Sequence, residues 1–313
     1  MPGRRDRPPV PSYRHASSLP VPYASVSRGA WMAVATVVKE ALPLARTRQG
    51  PVAPLGVRPP LKWAGGKRWQ LPTLRPFWER NRNRRLVEPF CGGLAVALGL
   101  MPARALLNDI NPNLINFYQS LKKGLTISLN LENNETTYYR YRDRFNELLN
   151  TGGAGTAEGA GLFYYLNRTG YNGLCRFNSK GRFNVPFGRY ANIGYRTEFA
   201  EHKHAFAEWI FTSIDFEQIE LSDRDFVYAD PPYDVEFRQY SEGGFDWTEQ
   251  ERCANWLGRH KGPVILSNQA TPRIVKLYRS LGFRLKFLNA PRRISCTGDR
   301  TPALEVLALR NLE

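Results

Sequence analysis

From Pro59 onward the chain repeats one rhythm. A short, apolar, β-rich run closes on Gly, Pro, Asp or Asn, and a stretch with helical spacing follows. Val87 ends one such run before Glu88-Pro89-Phe90-Cys91-Gly92-Gly93, and residues 94–100 read as the next helix. Residues 105–108 (ALLN) close on Asp109 and lead to a helix over 112–122. Residues 226–229 (FVYA) close on Asp230, residues 264–267 (VILS) close on Asn268, and residues 303–309 (ALEVLAL) read as a final strand. Strands alternating with helices predict an α/β fold with a mostly parallel sheet covered on both faces. Ligands of such sheets sit at the carboxyl ends of strands, which is where Gly92, Asp109 and Asp230 fall. No internal repeat at solenoid periods is present.

The length of 313 residues allows one large domain or two modest ones. Lys and Arg number 44 against 28 Asp and Glu, a formal charge of +16 that points to a polyanionic partner. Hydrophobic residues make up 42% and aromatic residues 12%, too many core-formers for a disordered chain. No apolar run approaches the roughly 18 residues of a membrane span, so a soluble protein without a membrane partner is expected. Cys91, Cys175, Cys253 and Cys296 contain no CxxC pair, which argues against a disulfide framework or zinc knuckle and for a reducing, cytoplasmic setting. His202 and His204, flanked by Glu201 and Lys203, read as a solvated helix face, and no metal is expected.

Residues 1–58 differ in kind, with nine Arg or Lys against Asp6 and Glu40, several prolines and little periodicity: a basic, flexible arm. Residues 31–44 allow one short helix, but Lys39 and Glu40 interrupt it, and a secretory signal is rejected. An over-extended gene start or a DNA-tethering arm fits this leader better than a transit peptide.

The middle of the chain leaves the rhythm. Residues 137–149 read as a helix, and the glycines of 152–161 as a flexible link. Residues 159–197 then contain no acid, six basic residues and nine aromatic ones. Cations for phosphate and rings for stacking suit a nucleic-acid groove, although the rings could equally fill a small core.

Two motifs carry chemistry. The Gly92-Gly93 turn between a strand and a helix lets backbone approach a ligand, and Asp109 lies 16 residues on, near the ~20-residue offset of ribose-binding acids. A tight turn with an N-capping Asp accounts for this pair as readily. The absence of GxGxxG favours an adenosine ligand without a pyrophosphate. In Asp230-Pro231-Pro232-Tyr233, two prolines withhold N–H donors and present carbonyls beside a carboxylate and an aromatic ring. Such an acceptor-only site matches a planar group bearing an NH2, such as a nucleobase amine; the plain alternative is a rigid strand-end turn.

Five blocks in order, 61–67 (LKWAGGK), 87–93 (VEPFCGG), 108–111 (NDIN), 165–176 (YLNRTGYNGLCR) continuing to 183–190 (FNVPFGRY), and 230–233 (DPPY), resemble the Dam-type (D12 class) N6-adenine-specific DNA methyltransferases. The resemblance covers residues 59–313 and leaves the arm unexplained. It implies a Rossmann-like, S-adenosylmethionine-dependent catalytic domain built from 59–111 and 198–313, interrupted by a mostly helical target-recognition domain over 112–197. It places the donor against Trp63, Lys67, Glu88, Phe90, Gly92, Asp109 and Asp230. Asp230, Pro231, Pro232 and Tyr233 are the implied catalytic residues, gripping the amine of an adenine flipped from double-stranded DNA. Lys62, Tyr171, Asn172, Leu174, Arg176, Pro186 and Tyr190 are the implied DNA contacts, and their match to the family gives GATC as the expected target.

The family often carries a further glycine where Leu94 stands, which leaves the shape of the donor loop open. A catalytically silent DNA-binding protein that keeps the fold is the competing reading. A monomer is expected in a bacterial or phage-infected cell, and whether a cognate restriction endonuclease exists is not inferable. Arg292, Arg293 and Arg300, around Ser295 and Thr297, suggest a sheet-edge hairpin facing phosphate, or a charged solubilising loop.

Overall fold

Leu86–Glu88 (β1), Ala105–Asn108 (β2), Trp209–Thr212 (β3), Phe226–Ala229 (β4), Val264–Gln269 (β5), Arg284–Ala290 (β6) and Ala303–Arg310 (β7) form one sheet in the order β3-β2-β1-β4-β5-β7-β6. These elements come from a computed structural model that describes residues 57–234, 245–291 and 303–312. The neighbours β3, β2, β1, β4 and β5 pair in parallel, and β7 enters antiparallel between β5 and β6. Successive residues of the central strands go to opposite faces: Leu86 and Phe226 join one apolar core, Val87 and Val227 the other. With both faces covered, those strands are continuous apolar runs, which is why they are conspicuous in the sequence. This is a Rossmann-like arrangement.

The chain leaves β1 toward β2 and β3 on one side and returns to β4 and β5 on the other. The crevice above β1 and β4 is therefore the switch point at which such sheets bind ligands. Leu86 pairs with both Ala105 and Phe226, so Glu88, Asp109 and Asp230 emerge along one edge.

The sequence reading has no counterpart for β3 and β6. Both are sheet edges: Ile210 on β3 is exposed, and β6 carries Arg284, Lys286 and Asn289. Polar residues interrupt the apolar run of β6, while β3 has the apolar run Trp209-Ile210-Phe211 but closes on Thr212 and Ser213 instead of Gly, Pro, Asp or Asn.

Three local expectations are corrected. Residues 94–100 do not form one helix; only Ala97–Leu100 is helical, because Leu94 adopts a left-handed φ of 59° on leaving the glycine turn. The glycine-rich stretch is not a flexible link, since Gly153–Gly155 is a 3₁₀ turn and Ala157–Thr169 a helix capped by the Thr156 side chain. A Cβ on Gly159 would lie 2.2 Å from the Ala154 carbonyl oxygen, so that glycine marks close packing. His202 is not solvated: it is buried between Phe199 and Phe206, and its Nε2 lies 2.9 Å from the Arg58 carbonyl.

Between β2 and β3 run the helices Pro112–Lys123, Glu135–Thr151, Ala157–Thr169 and Ala200–Ala205, with an irregular segment over 170–199. Helix Pro112–Lys123 packs on both β3 and Ala157–Thr169, so one apolar core runs from the sheet into this segment. The aromatics of 159–197 divide accordingly. Phe163, Tyr164, Tyr165 and Phe183 fill the core and Tyr171 is exposed, while Arg176, Lys180, Arg182, Arg189 and Arg196 point to solvent.

Residues 1–56, which hold nearly all of the basic arm, and the arginine cluster at 292–300 lie outside the described residues. Among the described residues, no helix is long and apolar enough to cross a membrane, no group of side chains is arranged to hold a metal ion, and Cys91, Cys175 and Cys253 are free thiols.

Candidate active site

The turn after β1 is shaped by what lies on it. A Cβ on Gly93 would sit 2.6 Å from the Trp63 Cβ, and one on Gly92, whose φ is +43°, 2.7 Å from Trp63 Nε1. Only glycines admit the indole that close. Leu94 then takes the left-handed turn at a cost of ~1–2 kcal/mol. Complete burial of its side chain offsets that cost, being worth about 1.5–3 kcal/mol. A non-glycine residue is thus accommodated where the family often has glycine.

Asp109 follows β2 and accepts hydrogen bonds from Gly92 N at 3.1 Å and Asn111 N at 3.0 Å. Burial pushes its carboxyl above the ordinary carboxylate range, and those two N–H groups oppose the shift. It does not cap the next helix, because Asn111 does so by accepting from Asn113 N and Leu114 N. Phe90 packs its ring on Phe216 and Phe245.

Glu88 closes β1 with 2% exposure, and its Oε1 has no hydrogen-bond partner. Burial, and then the charge of Asp230, pushes its carboxyl well above the ordinary range. The unfolded chain loses this proton near pH 4.5 while the folded chain holds it to higher pH, so the native state is fully favoured below that point and loses the advantage as pH rises. Without ligand, Glu88→Gln is expected to raise the neutral-pH Tm by on the order of a few °C, the gain vanishing toward acid pH. Thermal melts across that range check it, and a wild-type Tm at neutral pH contradicts it.

Asp230, at the end of β4, has one oxygen on Lys67 Nζ at 3.0 Å, with side-chain exposures of 18% and 7% for the two residues. Its other oxygen, Oδ1, is buried without a partner. Burial raises its carboxyl against the pull of Lys67. The same ammonium donates to the Gly65 carbonyl at 2.9 Å and lies 4.5 Å from the Tyr233 ring centroid. Pro231 is buried and Pro232 exposed, and the Pro232 carbonyl accepts from Gln250 Nε2 at 2.7 Å. The Tyr233 hydroxyl donates to Glu305 Oε2 at 2.7 Å and lies 3.1 Å from Ser267 Oγ. Gln70 Nε2 also reaches Glu305 Oε2, at 2.8 Å, and Gln70 Oε1 accepts from the Tyr228 hydroxyl at 2.9 Å.

The residues expected at DNA form a second group. Asn167, in the helix Ala157–Thr169, accepts from Lys62 N at 2.9 Å and donates to the carbonyls of Lys62 at 2.8 Å and Gly173 at 3.2 Å. Lys62 Nζ donates to the Arg168 carbonyl at 2.8 Å and lies 3.4 Å from the Tyr190 ring centroid. Burial and the Arg168 charge lower its ammonium to about 8. Tyr171 N donates to the Pro186 carbonyl at 2.9 Å, bringing those two residues together. Asn172 is exposed with φ 53°, Leu174 is half-buried, and Arg176 is exposed with Nε on Asn184 Oδ1 at 2.8 Å.

Gly173 has φ +62°, and a Cβ there would lie 2.3 Å from the Lys62 Cβ. Gly173→Ala is expected to cost about 1–3 kcal/mol from backbone strain, read as a fall in Tm. An unchanged Tm would mean that this loop is not held against Lys62.

A family model described as D12 class N6 adenine-specific DNA methyltransferase matches residues 63–294. The chain belongs to this family. Among its relatives, a retron Ec67 DNA adenine methylase of Escherichia coli is 36% identical over 264 residues, covering 80% of this chain and 90% of the relative. A DNA adenine methylase of Vibrio cholerae is 35% identical over 270 residues, 80% of this chain and 94% of the relative. A type II methyltransferase, M1.LlaDCHI, of Lactococcus lactis subsp. cremoris is 34% identical over 268 residues, 76% of this chain and 89% of the relative. The protein is accordingly an adenine-specific DNA methyltransferase.

In this D12 chain the residues expected at the donor and the adenine, Trp63, Lys67, Glu88, Gly92, Asp109, Asp230 and Tyr233, all lie along one sheet edge or against the turn above it. Those expected at DNA gather around residues 170–190 and Lys62. Gln70, Asn167, Ser267 and Glu305 went unread. Asn167 stands inside the 165–176 block, but Gln70, Ser267 and Glu305 lie in stretches whose only signal is a polar residue within or beside an apolar run.

Proposed function

We propose that this enzyme transfers a methyl group from S-adenosylmethionine to N6 of an adenine extruded from double-stranded GATC. The observation that carries the reading is Asp230, with one oxygen tied to Lys67 and the other buried and unpartnered beside two prolines.

The residues present fit this donor. Glu88, Asp109 and Asp230 stand at the ends of neighbouring strands, Asp230 has Lys67 at 3.0 Å, and Glu88 Oε1 is buried without a partner, so a cationic ligand is electrostatically complementary. Asp109 would take ribose hydroxyls, while Trp63, Lys67, Glu88, Phe90 and the bare Gly92 backbone would complete the cradle. When bound, S-adenosylmethionine supplies a methyl group on a positively charged sulfur.

The chain's own part is to hold the amine. Extrusion of the adenine costs a few kcal/mol of unstacking, which contacts in the pocket must offset. Asp230 Oδ1 and the Pro231 carbonyl accept the two N6 hydrogens and leave electron density on nitrogen, while Tyr233 offers its ring to the base. Fixing the nucleophile in this way supplies most of the acceleration. Residues 112–197 serve target recognition: Arg176 pairs with a guanine edge, Leu174 and Pro186 touch thymine methyls, and Tyr171 with Asn172 fills the gap left by the adenine. Lys62 and Tyr190 act at the outer base pair.

The test is expression in a bacterial host lacking adenine methylation, followed by digestion with endonucleases that distinguish methylated from unmethylated GATC. Protection supports the reading. Persistent cutting despite well-folded protein overturns the target assignment.

A further inference from the structure

Glu305 sits on β7, outside every motif in the chain, yet its side chain meets the tyrosine of the 230–233 motif. We propose that Glu305 is a positioning residue for methyl transfer, fixing with Ser267 the Tyr233 hydroxyl and hence the ring against which the extruded adenine lies. This rests on the reading of residues 230–233 as the adenine pocket.

The geometry is over-determined. Glu305 is buried, and its Oε2 accepts from Tyr233 Oη at 2.7 Å and Gln70 Nε2 at 2.8 Å. Gln70 Nε2 also reaches Ser267 Oγ at 3.2 Å, and Ser267 Oγ lies 3.1 Å from the tyrosine hydroxyl. Two groups, Ser267 on β5 and Glu305 on β7, thus meet the tip of one ring, and Gln70 of the 3₁₀ turn Arg68–Gln70 bridges the two. Lys67 Nζ covers one face of that ring, and Asp230 holds Lys67 in turn.

A carboxylate suits this role because it only accepts, so the tyrosine O–H and the glutamine N–H must both donate to it. Hydrogen bonds to an ionised acceptor are also roughly twice as strong as neutral ones. Burial pushes the Glu305 carboxyl upward, while Lys67 and the tyrosine hydroxyl pull it back. A buried acid opposite a hydroxyl is costly as core filling; as an anchor for a ring that must meet a planar base, it has a purpose.

The test is a double-mutant cycle. Glu305→Ala and Tyr233→Phe are each expected to lower kcat by about 10- to 100-fold, as small misplacements of reacting groups do. The KM for a GATC duplex and the Kd for the donor stay within about twofold, because the loss is one of orientation. The double variant falls no further than the worse single one. Glu305→Gln, which keeps an oxygen acceptor in place, recovers most of the rate, and Glu305→Met, which fills the volume without an oxygen, takes the place of Glu305→Ala in the cycle if the alanine variant melts below the assay temperature. With 2-aminopurine at the target adenine, Glu305→Ala brightens the extruded base because the ring no longer stacks on it.

Losses that multiply in the double variant, or a wild-type kcat in Glu305→Ala, overturn the proposal. Wild-type activity in Asp230→Ala would overturn the pocket reading itself, whatever the Glu305 variants do.

Discussion

Asp230→Ala is expected to lower the single-turnover rate of methyl transfer by about 10³-fold, the upper range for removing one preorganised hydrogen-bonding group from a dry site. Both oxygens have separate work, and alanine removes both. One neutralises Lys67, which is only 7% exposed. The other is a buried, unpartnered acceptor just after β4, the one that the proposed pocket offers to the amine. The variant also leaves the Lys67 ammonium without its counter-charge, so its Tm has to be followed in parallel. Asp230→Asn is the sharper comparison, because it keeps the volume but presents N–H donors where acceptors are needed. Rapid-quench measurement with a GATC duplex separates the outcomes. A loss below about tenfold in either variant would remove Asp230 from the chemistry.

Arg176→Ala is expected to cost ~1–3 kcal/mol of discrimination at one guanine, roughly a 5- to 150-fold change in the ratio of kcat/KM for GATC over a site altered at that base. Arg176 is exposed on the loop, and Asn184 holds its Nε at 2.8 Å, with a longer contact from Nη2 to the Asn184 carbonyl at 3.3 Å. A guanidinium steadied in this way loses less side-chain freedom on meeting a base edge than a free one. A phosphate contact behaves differently: its removal weakens binding on every DNA sequence alike and reduces the salt dependence by about one ion. Equal losses on cognate and altered duplexes would assign Arg176 to the backbone.

What the sequence made legible follows from burial. The central strands β1, β2, β4 and β5 lie within a covered sheet and read as apolar runs, and the acids that close them stand where the chain turns toward ligand. The edge strand β6 breaks that pattern with Arg284, Lys286 and Asn289, and β3, though apolar over Trp209-Ile210-Phe211, closes on no Gly, Pro, Asp or Asn that would mark its end. The glycines of 152–161 looked like a linker because composition alone cannot separate a glycine that loosens a chain from one, such as Gly159, that lets a carbonyl come close. His202 was misread for a similar reason: its neighbours in sequence, Glu201 and Lys203, are polar, while its neighbours in space are Phe199 and Phe206. Glu305 and Gln70 are separated by 235 residues, and no local pattern announces a bond across that distance.

Asn167 stands in for a strand partner, taking the Lys62 N–H and supplying one to its carbonyl, while the same amide reaches Gly173. If residues 170–190 read the bases as proposed, that loop and the segment carrying Trp63 and Lys67 are stitched at one side chain. Anyone grafting a new sequence preference onto this scaffold has to transplant residues 61–67 along with 165–190, because a loop moved by itself arrives without the backbone it was cut to fit.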